Sequence, residues 1–426
     1  MKQIAIARAP LNFHNATEVA QWRMCVGCGA CVYACQDKKL SLLDIEGEGL
    51  RPVLSNDACG SCNDCVSVCP GVGIDHQPVG RGGEGLINEL AQSWGPVLEV
   101  WEGHASDGDL RREGSSGGLA SALALYCIER GGMHGLLHVG SDDQARFKNK
   151  SSFSRSRAAI LAATGSKYAP ASPCDQLQAI EEAEGPCVFV GKPCDVQALR
   201  KAQILRPRLD DKVGAAIGIF CAGTPSTQGT IDLLRQHGIE PEQVEELRYR
   251  GRGWPGTFAV RLKDSTEWKD LATYAEAWGF LQKYRPYRCY LCPDGTSEFA
   301  DIACGDPWYR DVGEGEEGSS LVVVRTARGR DIVRAAIAAG YVKLSRIDPA
   351  LLQRSQRELQ YKRGAIWGRL LTMKALGVAA PRFQGFSLFR NWLRIPARDQ
   401  IRAFVGTARR IIARGYRQAY DYPSRR

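Results

Sequence analysis

Two textures alternate along the middle of the chain: short unbroken apolar runs that read as buried strands, and stretches with apolar residues at helical spacing. In "EGSSGGLASALALYCIERGG", Leu119, Ala122, Leu123 and Tyr126 share one helical face; Gly131 and Gly132 end the helix, and "GLLHVG" follows as a strand. "CVFVGKPCDVQALRKA" predicts a four-residue strand, a Gly-containing turn carrying Cys194 and an amphipathic helix. "VGAAIGIFCAGTPSTQGTIDLLRQHG" repeats the design with a longer strand and Cys221 in the turn. Strand–turn–helix units in series predict an α/β domain. Both cysteines fall just past strand ends, the edge at which open α/β sheets bind ligands.

At 426 residues with 44% hydrophobic content the chain is too long for one ordinary core, so two to four compact units are expected. No window offers the roughly 18 unbroken apolar residues of a spanning helix, and the first residues show no secretory leader. The expectation is cytoplasmic residence, peripheral to the inner membrane face at most. In a reducing compartment, sixteen cysteines read as metal ligands or buried thiols rather than disulfides.

Charge is uneven. From Tyr361 onward thirteen Arg and two Lys oppose only Asp399 and Asp421, a net +13 against +9 for the whole chain. "FSLFRNWLRIPARDQIRAFVGTARRIIARGYRQAY" mixes regularly spaced Arg with Phe, Trp, Leu and Ile, and Pro396 separates two predicted helices. Such a tail suits either docking on the body or contact with an anionic membrane surface or acidic partner. Nucleic acid is not expected, because no binding fold accompanies the tail.

The strongest chemical signal lies near the start. Cys25, Cys28, Cys31 and Cys35 follow C-x2-C-x2-C-x3-C, and Cys59, Cys62, Cys65 and Cys69 repeat it 34 residues later, followed by Pro70. In two-cluster ferredoxins the fourth cysteine of each run ligates the other cluster. That rule gives Cys25, Cys28, Cys31 and Cys69 to one [4Fe-4S] cluster and Cys59, Cys62, Cys65 and Cys35 to a second. Residues 20–80 thus resemble bacterial-type two-cluster ferredoxins, with Gln36 where a proline is usual. Paired zinc sites are the alternative, but they give no reason for the x3 offset in both runs. The Gly-rich "PVGRGGEG" at 78–85 reads as a linker.

Farther on, "YRCYLCPDGTSEFADIACGDPW" places Cys289 and Cys292 in a C-x2-C turn. With Cys194 and Cys221 they make four thiols, for which spacing alone leaves a third cluster, a zinc site and free cysteines open. Cys127, Cys174, Cys187 and Cys304 read as core or loop thiols. Ser-Ser-Gly-Gly before the helix at Leu119 leaves backbone N–H groups open to a phosphate or simply caps the helix. The histidines form no motif, and His104, His134 and His138 read as core or surface residues. "GRGWPG" at 251–256 reads as a hairpin turn or as a lid.

"SGGLASALALYCIERG", "GSKYAP", "VGKPCDVQALRK", "GIFCAGTPS" and "CYLCPDGTSEFADIACGDPW" occur in the order and spacing of the coenzyme F420 hydrogenase and formate dehydrogenase beta-subunit family, which residues 80–345 resemble. The resemblance implies a flavoprotein domain holding FAD beside a third [4Fe-4S] cluster, with Cys194, Cys221, Cys289 and Cys292 as its ligands. It also implies that Ser116, Gly117, Gly118, Gly165, Ser166 and Lys167 hold the flavin and its phosphates, with Lys167 near the pyrophosphate or ring. Asp301 and Asp306 match family positions without an assignable role. Other members of that family include pigment reductases and proteins of polysaccharide gene clusters.

The expected architecture is therefore an α/β flavin-binding domain preceded by a small α+β two-cluster ferredoxin-like domain, with a C-terminal helical tail. Its boundaries are 1–80 for the head, 81–180 and 181–345 for the two parts of the flavin domain, and 346–426 for the tail. The expected function is an iron–sulfur flavoprotein oxidoreductase passing electrons between the clusters, FAD and an organic acceptor such as a deazaflavin. A ferredoxin or larger oxidoreductase would be its redox partner. The alternatives are a non-catalytic electron-transfer subunit and a cluster-bearing scaffold associated with polysaccharide biosynthesis.

Overall fold

The computed structural model describes residues 12–55, 59, 62–76, 85–313 and 315–422; the 78–85 linker lies almost wholly outside them. In the head, β1 (Leu40–Ile45) and β2 (Gly49–Leu54) form an antiparallel hairpin, and β3 (Gly73–Asp75) follows the second cysteine run. The body contributes β4 (Glu99–Ala105), β5 (Gly135–Ser141), β6 (Asn149–Ser154), β7 (Cys187–Gly191) and β8 (Val213–Ile219). After β9 (Val244–Arg248), β10 (Thr257–Leu262) and β11 (Trp268–Thr273) come β12 (Ile302–Gly305), β13 (Ser320–Val324) and β14 (Val342–Arg346).

Eight of these strands form one sheet in the order β14-β4-β13-β12-β8-β7-β5-β6. The central β5, β7, β8 and β12 are parallel and the outer pairings antiparallel. The centre reads as unbroken apolar sequence because helices cover both faces, so every residue of β13 is buried. On one side Leu123 and Leu125 of helix Leu119–Glu129 pack with Val188, Ile217 and Val322. On the other, Val196 and Leu199 of helix Pro193–Leu205 pack with Phe189 and Ala216. Each such fully buried side chain contributes roughly 1.5–3 kcal/mol. β9, β10 and β11 make a separate antiparallel sheet, and "GRGWPG" is the loop between β9 and β10.

Neither the head nor the tail stands alone. Cys28, Ala30, Ala34, Val68 and Ile74 of the head share a core with Phe189 and Val196 of the body and Phe386 of the tail. The contact is close: Gly29 has φ +87°, and a Cβ there would lie 2.8 Å from the Asp175 amide nitrogen. β15 (Arg382–Gln384) pairs in parallel with β3, tying tail to head across some 300 residues of sequence. The tail forms helices Arg357–Ala375, Leu388–Trp392 and Ala397–Ala413, with Pro396 at the N-terminal boundary of the last. Met373, Val378, Ile411 and Tyr416 close over Tyr287 and Leu291. The chain then returns to the head, where the Tyr420 amide donates to the Gln21 carbonyl at 2.8 Å. Among the described residues no helix is long and apolar enough to cross a membrane.

Candidate functional site

The head brings its cysteines together in the two sets expected from their spacing. Cys25, Cys28, Cys31 and Cys69 line one small void beneath helix Ala16–Gln21, with Leu42 and Pro52 closing it. Burial, reinforced by the neighbouring thiols, pushes Cys28 and Cys31 far above the usual thiol range and Cys69 up to about 11. Burial and then its neighbours Cys59, Cys62 and Cys35 raise Cys65. Cys59 and Cys62 are exposed, whereas Cys25, Cys28, Cys31 and Cys69 are buried. Among the described residues no three His, Cys, Asp or Glu side chains converge as one metal ion requires. Four thiols around one void suit an iron–sulfur cluster, whose iron would hold them deprotonated.

The body gathers a further set. Cys221 follows β8, where its amide donates to the Gly295 carbonyl at 2.8 Å. Cys289 lies within a short 3-10 turn, Tyr287–Leu291, and Cys292 ends it. Cys194 occupies the first turn of helix Pro193–Leu205 rather than the turn before it. Burial raises Cys194, and Cys221 and Cys292 add to the rise; burial and then Cys289 push Cys221 up to about 11. The set is walled by cations. The Lys192 ammonium donates to Asp195 at 2.7 Å and to the Ala171 carbonyl at 3.2 Å, with Cys194 and Cys221 as neighbours. Arg288 is buried beside Cys292 and Cys289.

Cys221 also lines a cavity of about 310 Å³ at the carboxyl ends of the central strands. Ser116, Gly118, Gly165, Ser166 and Lys167 stand in its wall; Gly117 does not. The two predicted segments are bonded together, with the Ser166 amide donating to Ser115 Oγ at 2.5 Å. Gly117 instead lies against the sheet, its amide donating to Ser320 Oγ at 2.7 Å. Gly118 (φ +71°) would place a Cβ 2.4 Å from the Leu110 carbonyl, so this glycine is required by packing as well as by any ligand. The helix it opens has no side-chain cap, which leaves N–H groups directed at the cavity.

Lys167 is half-buried, and desolvation pulls its ammonium below the usual lysine range, Glu246 opposing the effect. His138 is buried with Nε2 2.8 Å from Ser154 Oγ; burial lowers it to about 4, so it is neutral at pH 7. A cation and uncapped amides beside apolar walls fit an anionic, partly aromatic ligand such as a dinucleotide.

Sequence reasoning missed the opposite wall. Arg250 after β9 makes a two-point pair with Asp306 at 2.7 and 3.1 Å, and Trp254 Nε1 donates to Asp306 at 2.9 Å. Tyr274 stacks on Trp308 at 5.6 Å and 7°, and Tyr168 and Trp278 complete the aromatic rim. Asp306 therefore organises this rim. Asp301 accepts from Arg200, the Ala216 amide and Thr326, a structural role. Cys127, Cys174, Cys187 and Cys304 are buried, and Cys304 touches the cavity. The 251–256 loop is a hairpin connection whose Trp254 reaches the rim.

Residues 100–178 match the model for the N-terminal part of the coenzyme F420 hydrogenase/dehydrogenase beta subunit, and residues 186–350 match that for its C terminus, together more than half of the chain. The chain belongs to this family. Residues 19–74 match a 4Fe-4S dicluster domain, which supports iron–sulfur clusters in the head. Similar proteins include the coenzyme F420-dependent sulfite reductase of Methanocaldococcus jannaschii, 24% identical over 346 residues, 74% of this chain and 52% of that protein. The chain thus spans about half of that relative's length. The coenzyme F420 hydrogenase subunit beta of Methanosarcina barkeri is 26% identical over 261 residues, 60% of this chain and 84% of that protein. Among solved structures, a chain of the F420-reducing [NiFe] hydrogenase complex from Methanosarcina barkeri shares the fold, with TM-score 0.50 and 23% identity over 65% of this chain and 93% of that one.

Proposed function

We propose that the chain is an iron–sulfur flavoprotein oxidoreductase subunit that exchanges electrons with a redox partner through its head and with an organic acceptor at the cavity. The observation that carries this reading is the double position of Cys221, which neighbours Cys289 and Cys292 and also lines the cavity. Cys25, Cys28, Cys31 and Cys69, and Cys35, Cys59, Cys62 and Cys65, would hold two clusters. Cys194, Cys221, Cys289 and Cys292 would hold a third. FAD in the cavity would supply the exchange between single electrons and electron pairs that a deazaflavin or similar acceptor needs. The amides before Leu119 and the Lys167 ammonium would bind its pyrophosphate, and the apolar wall would exclude water from the ring.

The boundaries at 80 and 345 serve this reading as functional rather than packing divisions, because head, body and tail share cores. Anaerobic purification with iron, sulfide and FAD assayed on one sample tests it. About twelve irons and one FAD per chain are expected for three cubanes; about eight irons without FAD would refute it.

For the tail, the reading is contact with an anionic surface from the inner side of the membrane. Ile401, Val405 and Ile412 are exposed on helix Ala397–Ala413 beside Arg398, Arg402 and Arg409, while Asp399 faces inward. Co-sedimentation with vesicles of 30% phosphatidylserine should occur in low salt and vanish in about 0.5 M salt, where the screening length falls below about 5 Å. No sedimentation at low salt would discard the idea.

A further inference from the structure

Arg288 stands between the thiol set of the head and that of the body. It is 2% exposed and lies in the turn immediately before Cys289. Its Nη2 donates at 3.1 Å to the carbonyl of Pro70, the residue after Cys69. Its Nε has no hydrogen-bond partner, and its Cζ lies 5.2 Å from the centre of the Phe383 ring, contributed by the tail. The neighbours that most favour its charge are thiols, Cys292, Cys289 and Cys194 on the body side and Cys69 on the head side, which carry negative charge once they bind iron. One small void is lined at once by Cys25 and Cys289, with Arg288 and Lys192 in its wall; the one carboxylate there, Glu48, is paired with Arg51 at 3.4 Å.

A guanidinium buried without a bonded carboxylate is costly unless something anionic occupies its surroundings. A hydrogen bond to one carbonyl does not meet that cost. A cubane held by four thiolates does, since it is an anion in both redox states and gains one negative charge on reduction. A fixed cation beside it therefore favours the reduced form, and in a dry interior the effect is larger than at a surface.

We propose that Arg288 is the shared counter-charge of the two inner clusters, raising the reduction potentials of both the cluster held by Cys25, Cys28, Cys31 and Cys69 and the one held by Cys194, Cys221, Cys289 and Cys292. This rests on the three-cluster reading above. Arg288 acts through the clusters and is a positioning residue. Cys35, Cys59, Cys62 and Cys65 are not among the groups that weigh most on Arg288, so the outer cluster they would hold serves as the internal control.

The experiment is a potentiometric titration followed by electron paramagnetic resonance on the full chain, comparing wild type with Arg288→Gln, Arg288→Met and Arg288→Lys. In the neutral variants the one-electron reduction constants of both inner clusters should fall at least about tenfold, 59 mV for n = 1. The outer cluster should not move, and the Lys variant should retain more than half of the wild-type effect. Unchanged inner potentials, equal shifts in the Lys and Gln variants, or loss of an inner cluster from both neutral variants would each overturn the proposal. Iron content of the wild type is read on the same samples: about eight irons would instead remove the three-cluster reading itself.

Discussion

Glu298 joins the three parts of the chain, and cutting it loose should free the tail. It is 1% exposed. One carboxylate oxygen receives the Arg363 guanidinium from helix Arg357–Ala375, and the other lies 2.8 Å from Nε2 of His76, which follows β3. Arg363 also donates to the Phe386 carbonyl at 3.0 Å. The His76 ring sits between Phe299 and Phe386, at 4.7 and 5.0 Å. Burial alone would raise the carboxyl; Arg363, then His76 and Arg325, more than offset it and hold it at about 2, against an ordinary 4.5. A carboxyl held that low is worth on the order of 3 kcal/mol at neutral pH. That contribution is complete above pH 4.5 and is lost as pH falls toward 2, and it agrees with the roughly 3–5 kcal/mol expected when one partner of a buried pair is removed. Arg363→Met should therefore open the tail locally. The amides to watch are Arg382, bonded to the Val72 carbonyl at 2.9 Å, and His76, bonded to Gln384 at 3.1 Å. Their hydrogen exchange at pH 7 should accelerate about a hundredfold, as 1.4 kcal/mol is about tenfold, while amides of β7 and β8 stay protected. In a double-mutant cycle, Glu298→Gln added to Arg363→Met should cost much less than the sum of the two. Less than a threefold change at those two amides, with iron content intact, would refute the reasoning.

Three further outcomes are expected. Lys167→Gln removes a cation from the cavity wall and should weaken FAD retention about tenfold, some 1.4 kcal/mol, read by fluorescence titration of flavin-depleted protein; unchanged affinity would place the phosphates elsewhere. Cys221→Ser should lower iron by about four per chain and leave the head's signals intact, read by iron assay and paramagnetic resonance; full iron content would remove Cys221 from the ligand set. His138, lowered to about 4 by burial, must stay neutral in the fold, so stability should fall as pH drops from about 6.5 toward 4, by up to about 3 kcal/mol. His138→Gln should flatten the melting-temperature profile between pH 6.5 and 5, and an unaltered slope would assign the acid sensitivity to another group.

What the sequence made legible were features set by near neighbours. The eight head cysteines were readable because a cluster takes three ligands from one tight loop. Their partition into two sets followed because the fourth ligand crosses over, and the void lined by Cys25, Cys28, Cys31 and Cys69 has that crossed membership. Cys194 and Cys221 were readable because strand ends are found from apolar runs. Arg250, Tyr274, Trp278 and Trp308 were not, since they come to the cavity from separate places, Arg250 after β9, Tyr274 and Trp278 on helix Tyr274–Leu281 and Trp308 after β12, and only the fold brings them together. β3 and β15 are three residues each, too short to show alternation, and gain their pairing only when the tail returns to the head. The tail read as a basic helical pair, but its docking rests on Tyr287 and Tyr416, 4.9 Å apart and 129 positions distant in sequence.

The burial of the thiols imposes an order on any electron path through them. Cys59 and Cys62 face solvent; Cys25, Cys28 and Cys69 pack with body or tail residues and Cys31 within the head; and Cys221 meets the cavity. On the three-cluster reading proposed above, a redox partner would meet the outer set and an acceptor the cavity, with the inner head set between them. Part of this cover comes from outside the head, where Phe189, Val196 and Phe386 complete the enclosure. A two-cluster head cut at residue 80 would then differ from the intact chain in its inner cluster first, exposing Cys28 and Cys69 while leaving the solvent-facing set much as it is.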